Sequence, residues 1–148
     1  MSVGKVYLVG AGPGHPDLLT LKGRELIGRA DILIYDRLIQ EDTLAPARAD
    51  AERIYVGKAP GRHQSRQDQI NHILVDAARR ASCVVRLKGG DPVLFGRGGE
   101  EAEHLASHGI PFEVVPGVTA GLSVPMAAGI PVTHRDFSAS VALVTGHR

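Results

Sequence analysis

"VVRLKGGDPVLFGRGGEE", Val84 to Glu101, decides the fold: a hydrophobic run passes directly into two glycines, an Asp-Pro and a second glycine cluster. β-Branched and other apolar residues favour a buried strand, and glycines free the backbone for tight turns or for close approach by another group. The stretch therefore reads as a strand, a loop with little side-chain bulk, and the opening of a helix.

Four further short runs have the same character: Val6 to Val9, Ile32 to Tyr35, Arg53 to Val56 and Phe112 to Val115. Helical patterns or loops separate them. The clearest is "SRQDQINHILVDAARRA", where Ser65 and Asp68 suggest a capping box and Ile70, Ile73, Leu74, Ala77 and Ala78 share one face. A second helix is expected from Asp17 to Arg29, opening near Pro16, and a third from about Gly99 to His108, stopping at Gly109. Strands alternating with helices imply an α/β fold: an open, mostly parallel five-stranded sheet with right-handed crossovers.

Open α/β sheets bind ligands beyond the carboxyl ends of their strands. Here those ends are "GAGPG", "YDR", "VGKAPGRH", "LKGGDP" and "VPGVTA", so the chemically suggestive residues converge on one edge. Gly12, Pro13 and Gly14, with Gly89, Gly90 and Asp91, are expected to form two walls of one small-molecule cleft. A dinucleotide is disfavoured, because G-x-G-x-x-G needs glycine where the chain has His15, and Pro13 stiffens the loop. No P-loop pattern is present either.

Composition narrows the classes. A chain of 148 residues, 43% hydrophobic with net charge +1, suits about one ordinary domain. It lacks long basic runs, and 4% aromatic residues offer few platforms for base stacking, which argues against nucleic acid. Cys83 is the one cysteine, so no internal disulfide is possible, and its apolar neighbours suggest an inert buried thiol. The apolar run in "MSVGKVYLVGAGPG" is too short for a signal peptide or membrane span, which makes a cytoplasmic location the expectation. His104 and His108 have metal-ligand spacing but no third ligand nearby, so they read as a surface pair and no metal is expected.

The segments "VGAGPGHPDLLTLKG", "YDRLI", "VGKAPGRHQSRQDQIN", "VRLKGGDPVLFGRGGEEAE", "VPGVTA" and "GIPVTHR" together resemble the tetrapyrrole (class III) methyltransferases along essentially the whole chain. That resemblance implies S-adenosyl-L-methionine as methyl donor, S-adenosyl-L-homocysteine as product, and a homodimer of two-domain subunits. It further implies methylation of uroporphyrinogen III at C2 and C7 to give precorrin-2, which leads to sirohaem and cobalamin. Residue by residue, it assigns donor contacts to Pro13, Gly89, Gly90, Asp91, Leu94, Thr119 and Ala120. It makes Asp36 the proton acceptor and Lys58 the proton donor. On the same basis residues 1–132 form the N-terminal domain and 133–140 an interdomain linker. Residues 141–148 then begin a second domain that is cut short, with Val141 to Val144 as its first strand. Two departures from the family pattern are His15, where an acid is common, and Leu94, where Ile or Val is common.

The chemistry is consistent with those residue types. Transfer from a sulfonium to carbon mainly needs the two reactants positioned, and a base and an acid help the macrocycle adjust its protons. A substrate rich in acetate and propionate groups calls for arginine forks. Arg37 follows the candidate base, and the acid-free stretch from Gly57 to Gln67 supplies Arg62 and Arg66 beside Lys58 and His63. Arg97 either joins that clamp or pairs with Glu100 or Glu101. The alternatives are a precorrin methyltransferase acting at another ring carbon, a non-catalytic S-adenosylhomocysteine-binding domain, and, more distantly, a dinucleotide-dependent oxidoreductase.

Overall fold

The computed structural model describes residues 3–57 and 63–146, without the side chains of 63–66. Its strands are β1 (Lys5–Gly10), β2 (Ile32–Tyr35), β3 (Glu52–Tyr55), β4 (Cys83–Lys88) and β5 (Phe112–Val115). Its helices are α1 (Leu21–Arg29), α2 (His63–Arg80), α3 (Gly98–Ser107) and α4 (Ala120–Ala127). The strands form one sheet in the order β3-β2-β4-β1-β5, and every pair is parallel.

Side-chain alternation along the strands divides the core between the two faces. Val6 and Leu8 of β1, Ile32 and Ile34 of β2 and Val84 of β4 pack with Ile70, Leu74, Ala77 and Ala78 of α2 and Leu105 of α3. Val9, Leu33, Val85 and Leu87 point the other way, onto Leu26 and Ile27 of α1 and onto Leu44. Both faces are covered, which is why the strands read as near-continuous apolar runs.

Chain direction explains which helix lies on which face. From β1 the chain steps across the sheet to β2 and β3 with α1 on one side; from β3 it returns through α2 to β4 and through α3 to β5. Right-handed crossovers travelling in opposite directions must lie on opposite faces. The neighbours β1 and β4 thus send their connections apart, and a crevice opens between their carboxyl ends. That crevice is where "GAGPG" and "KGGDP" emerge.

The expected helix from Asp17 to Arg29 is divided. Pro16–Leu18 forms a 3-10 turn, and α1 begins only at Leu21. Thr20 causes the break: its backbone is extended and its hydroxyl accepts from Gly23 N at 3.0 Å, as an N-cap does. Ser65 does not cap α2, which starts two residues earlier, at His63. Helix α4 was not anticipated, because Gly121 and Pro125 mask a helical pattern in sequence. The expected strand at Val141 to Val144 does not form: those residues are irregular, and no strand of the described residues pairs with them. The buried hydrophobic residues end at Val115, while Met126, Phe137 and Val144 are 72%, 86% and 85% exposed.

Candidate active site

Two loops from adjacent strands build the floor of the crevice. Gly12 donates to the Gly90 carbonyl at 3.1 Å and Gly90 donates back to Gly12 at 2.7 Å, so the loops after β1 and β4 are joined into one surface. The residues expected to form two walls make a single continuous floor, except Gly14, which does not line the cavity above it. Gly90 has φ +64°, the left-handed region that a side chain disfavours. Gly117, in the loop after β5, meets a different constraint. A Cβ there would lie 2.2 Å from the Gly90 carbonyl oxygen, so glycine lets the third loop close against the other two.

Asp91 fastens this assembly. One carboxylate oxygen accepts from Val93 N at 2.9 Å and Leu94 N at 3.0 Å, and the other accepts from Gly117 N at 3.3 Å. Partial burial works to raise its pKa, but these three N–H groups together hold it below the ordinary aspartate value. The carboxylate expected to touch a ligand is thus spent on tying loops together, and the rest of Asp91 lines the space above.

That space is a cavity of about 520 Å³, a size suited to a small-molecule ligand. Pro13, Gly89, Gly90, Asp91, Leu94, Thr119 and Ala120, all seven residues assigned to the donor, line it, and so does Arg37. Leu38 and Phe95, not singled out in sequence, also line it, as do Leu143 and Val144, which were expected in a strand rather than at the site. Thr119 caps α4, its hydroxyl accepting from Gly121 N at 3.3 Å, and the positive end of that helix faces the cavity rim. Backbone polar groups, apolar side chains and a helix N-terminus make a donor set that fits an adenosylated amino acid.

Phe95 and Arg97 also have left-handed backbones, with φ of 55° and 57°. Non-glycine residues in that region cost about 1–2 kcal/mol each and mark sites where geometry is held for use. Here they turn the chain between the cavity and α3. Arg97 makes two contacts to Glu100, at 2.9 and 2.6 Å, and also lines the second cavity described next.

A second cavity of about 270 Å³ adjoins the first, and Leu38, Gly89, Leu94 and Phe95 line both. Its polar lining includes Asp36, Gln67, Arg86, Lys88 and Arg97. Asp36 follows β2 directly; one carboxylate oxygen accepts from Leu38 N at 3.0 Å and the other lies 3.4 Å from Arg86 Nη2. Arg86 and Lys88 both face α3 because they alternate with Val85 and Leu87 along β4. Glu101 Oε1, fully buried, receives Lys88 Nζ at 2.9 Å, Gln67 Nε2 at 3.3 Å and Arg86 Nε at 3.4 Å. Burial, and then the neighbouring Arg86, push the Lys88 ammonium below the ordinary lysine pKa. Sequence reading missed this cluster because a charged pair inside an apolar strand shows its depth only once α3 is placed.

Of the other expected residues, Lys58 and Arg62 lie outside the described residues, and Arg66 belongs to α2 with its side chain outside them. Cys83 is only partly buried rather than buried as expected, and burial first, then Asp31, raise its thiol above the ordinary cysteine value. The His104 ring lies tilted against His108 at 4.3 Å and edge-on to His72 of α2 at 5.5 Å, so the expected surface pair is a trio between α2 and α3. No group of three or more His, Cys, Asp or Glu side chains among the described residues is placed to hold a metal ion.

Residues 5–148 match the family model of the tetrapyrrole (corrin/porphyrin) methylases. The chain belongs to this family. It is 58% identical, over 99% of its length, to a uroporphyrinogen-III C-methyltransferase of Priestia megaterium, and 59% identical over 97% to a siroheme synthase of Pseudomonas putida. It spans 61% of the first relative and 31% of the second. Among solved structures it is similar to the uroporphyrin-III C-methyltransferase of Thermus thermophilus complexed with S-adenyl homocysteine. That match has a TM-score of 0.76 and 49% identity, covering 93% of this chain and 53% of the other. The five-stranded α/β sheet is thus the family's fold, as the sequence implied.

Proposed function

We propose that this chain carries the donor site and the proton acceptor of an S-adenosyl-L-methionine-dependent C-methyltransferase that converts uroporphyrinogen III to precorrin-2. Methylation would occur at C2 and C7, on the route to sirohaem and cobalamin. The observation that carries this reading is the larger cavity, which gathers Pro13, Gly89, Gly90, Asp91, Leu94, Thr119 and Ala120 on three interlocked loops. The likeness to a structure holding S-adenyl homocysteine supports the same ligand. When bound, the donor supplies an activated methyl group on a sulfonium.

The protein's own residues then have defined tasks. The loops fix the donor against the crevice, so that a ring carbon held above it is presented in line. Asp36, in the adjoining cavity, accepts the proton released as the methylated ring rearranges, and Lys58 returns one to the macrocycle. Arg37, Arg62 and Arg66 receive ring carboxylates, for which guanidinium forks are suited. In the same reading the protein works in the cytoplasm as a homodimer, with no nucleic-acid or membrane partner. No helix among the described residues is long and apolar enough to cross a membrane. Residues 133–140 then serve as an interdomain linker and 141–148 open the next domain.

The test is transfer of isotope-labelled methyl from S-adenosylmethionine to uroporphyrinogen III by the complete natural protein. Mass spectrometry counts the groups gained. Two labelled methyl groups per macrocycle support the assignment; a product methylated at another carbon, or donor binding without transfer, overturns it.

A further inference from the structure

We propose that Arg86 is the positioning residue for Asp36. Its guanidinium, anchored on Glu101, bridges from the sheet interior to the carboxylate that accepts the proton. This rests on the reading of Asp36 given above.

Three observations carry it. The first is placement: parallel pairing sets Ile34 of β2 opposite Arg86 of β4, so Asp36, two residues beyond Ile34, emerges beside the outward reach of the Arg86 side chain. The second is the division of labour on Asp36. Leu38 N takes one oxygen and forms the local turn, which leaves the other oxygen to Arg86 Nη2 at 3.4 Å. A turn-forming aspartate on a loop would otherwise rotate about its side-chain bonds, and a second contact from a different strand removes that freedom. The third is the anchoring of Arg86 itself. Its side chain is 3% exposed and is held at Glu101 Oε1 by Nε and at the Leu87 carbonyl by Nη1, the latter at 2.9 Å.

A buried arginine of this kind contributes little net stability, since desolvation offsets attraction. Its planar fork does what lysine cannot, because separate nitrogens reach two carboxylates at fixed angles. Glu101 lies on α3, just beyond the loop that lines both cavities, so the same helix that anchors Arg86 also ends the donor-site loop. Placement of the base and placement of the donor loop thereby share one support.

The experiment compares Arg86→Lys, Asp36→Asn and the double variant in the complete natural protein, by steady-state methyl transfer and by titration with S-adenosylhomocysteine. Arg86→Lys keeps the buried charge but not the bridge. It is expected to lower kcat about 10- to 100-fold, the scale of a small misplacement of a reacting group. KM for uroporphyrinogen III and affinity for S-adenosylhomocysteine should stay within about twofold of wild type. In the Asp36→Asn background the same substitution should cost nothing further, because the residue it positions is already gone. A kcat within about twofold of wild type, an equal additional loss on top of Asp36→Asn, or a parallel loss of S-adenosylhomocysteine affinity would overturn the proposal. If Arg86→Lys does not fold, Arg86→Gln is read by the same criteria. A normal rate in Asp36→Asn would instead remove Asp36 from catalysis, whereas a slow Asp36→Asn beside a normal Arg86→Lys removes only the positioning role.

Discussion

The amide of Gly90 donates to the carbonyl of Gly12 at 2.7 Å, and the Gly90 carbonyl in turn lies where any Cβ on Gly117 would have to go. Three loops from three strands are thus packed backbone on backbone at one point. The cavity proposed above as the donor site is built on that junction, so small changes at the junction should propagate to binding.

Gly117→Ala tests this most sharply. The added methyl cannot be accommodated without separating the loops, so S-adenosylhomocysteine affinity should fall at least about tenfold, with a loss of order 1–3 kcal/mol in denaturant unfolding, as overpacking costs. Gly99→Ala is the control: nothing lies within 4 Å of its added carbon and it sits in α3. That change should raise stability by about 0.5–1 kcal/mol and leave binding unaltered.

Glu101→Gln removes the carboxylate that Lys88 and Arg86 share, leaving the buried Lys88 ammonium facing an amide and Arg86 with Asp36 alone as a carboxylate partner among the described residues. Breaking such a network typically costs about 3–5 kcal/mol. Urea unfolding of the variant against wild type measures it, and a loss below about 1 kcal/mol would show the network to be far more solvated than its burial implies.

Two windows of pH dependence follow from the pKa directions. Burial, and then His108 and His72, lower the His104 pKa below its usual 6.5, against a smaller opposing effect of Asp68. A base with a depressed folded pKa contributes stability that is complete above its unfolded value and is lost as pH falls through 6.5 toward the folded value. Glu113 is held down to about 2 by Lys22 and Lys5, so its contribution is present above 4.5 and fades as pH falls toward 2. Thermal melts from pH 8 down to pH 3 should show two successive declines, and His104→Asn should flatten the upper one alone.

Asp36→Asn should slow methyl transfer by about 10²- to 10⁴-fold, the usual worth of a positioned proton acceptor. S-Adenosylhomocysteine affinity should hold, because Asp36 lines the neighbouring cavity and not the donor's. Single-turnover transfer beside calorimetric binding separates the two effects.

The sheet was legible because its signal is local: five apolar runs, each followed by turn residues, leave few alternatives to a parallel α/β architecture. The cavity lining at Gly12, Pro13, Gly89, Gly90 and Asp91 was legible for a related reason, since loops at one sheet edge must converge, whereas Leu94, Thr119 and Ala120 were named only through the family resemblance. What escaped was set by tertiary placement. Thr20 divides a helix whose apolar period looks continuous, and Pro125 disguises α4, because caps and prolines act through geometry that composition does not reveal. Arg86 and Lys88 carry no distinguishing mark in sequence, and only the placement of α3 brings Glu101 over them. Asp91 was chosen as a ligand contact, yet the neighbouring N–H groups claim its carboxylate. Leu38 and Phe95 had no chemical mark at all, and only the fold places them on the cavity.

The most direct test of the central claim, that the cavity over Gly12 and Gly90 is the donor site, is calorimetric titration of S-adenosylhomocysteine into wild type and Ala120→Trp. Ala120 is exposed and lines the cavity, so an indole there fills the space without entering the core. The account predicts one site in wild type and no detectable binding in the variant, with an unchanged melting temperature. Equal affinity in the two proteins would contradict it.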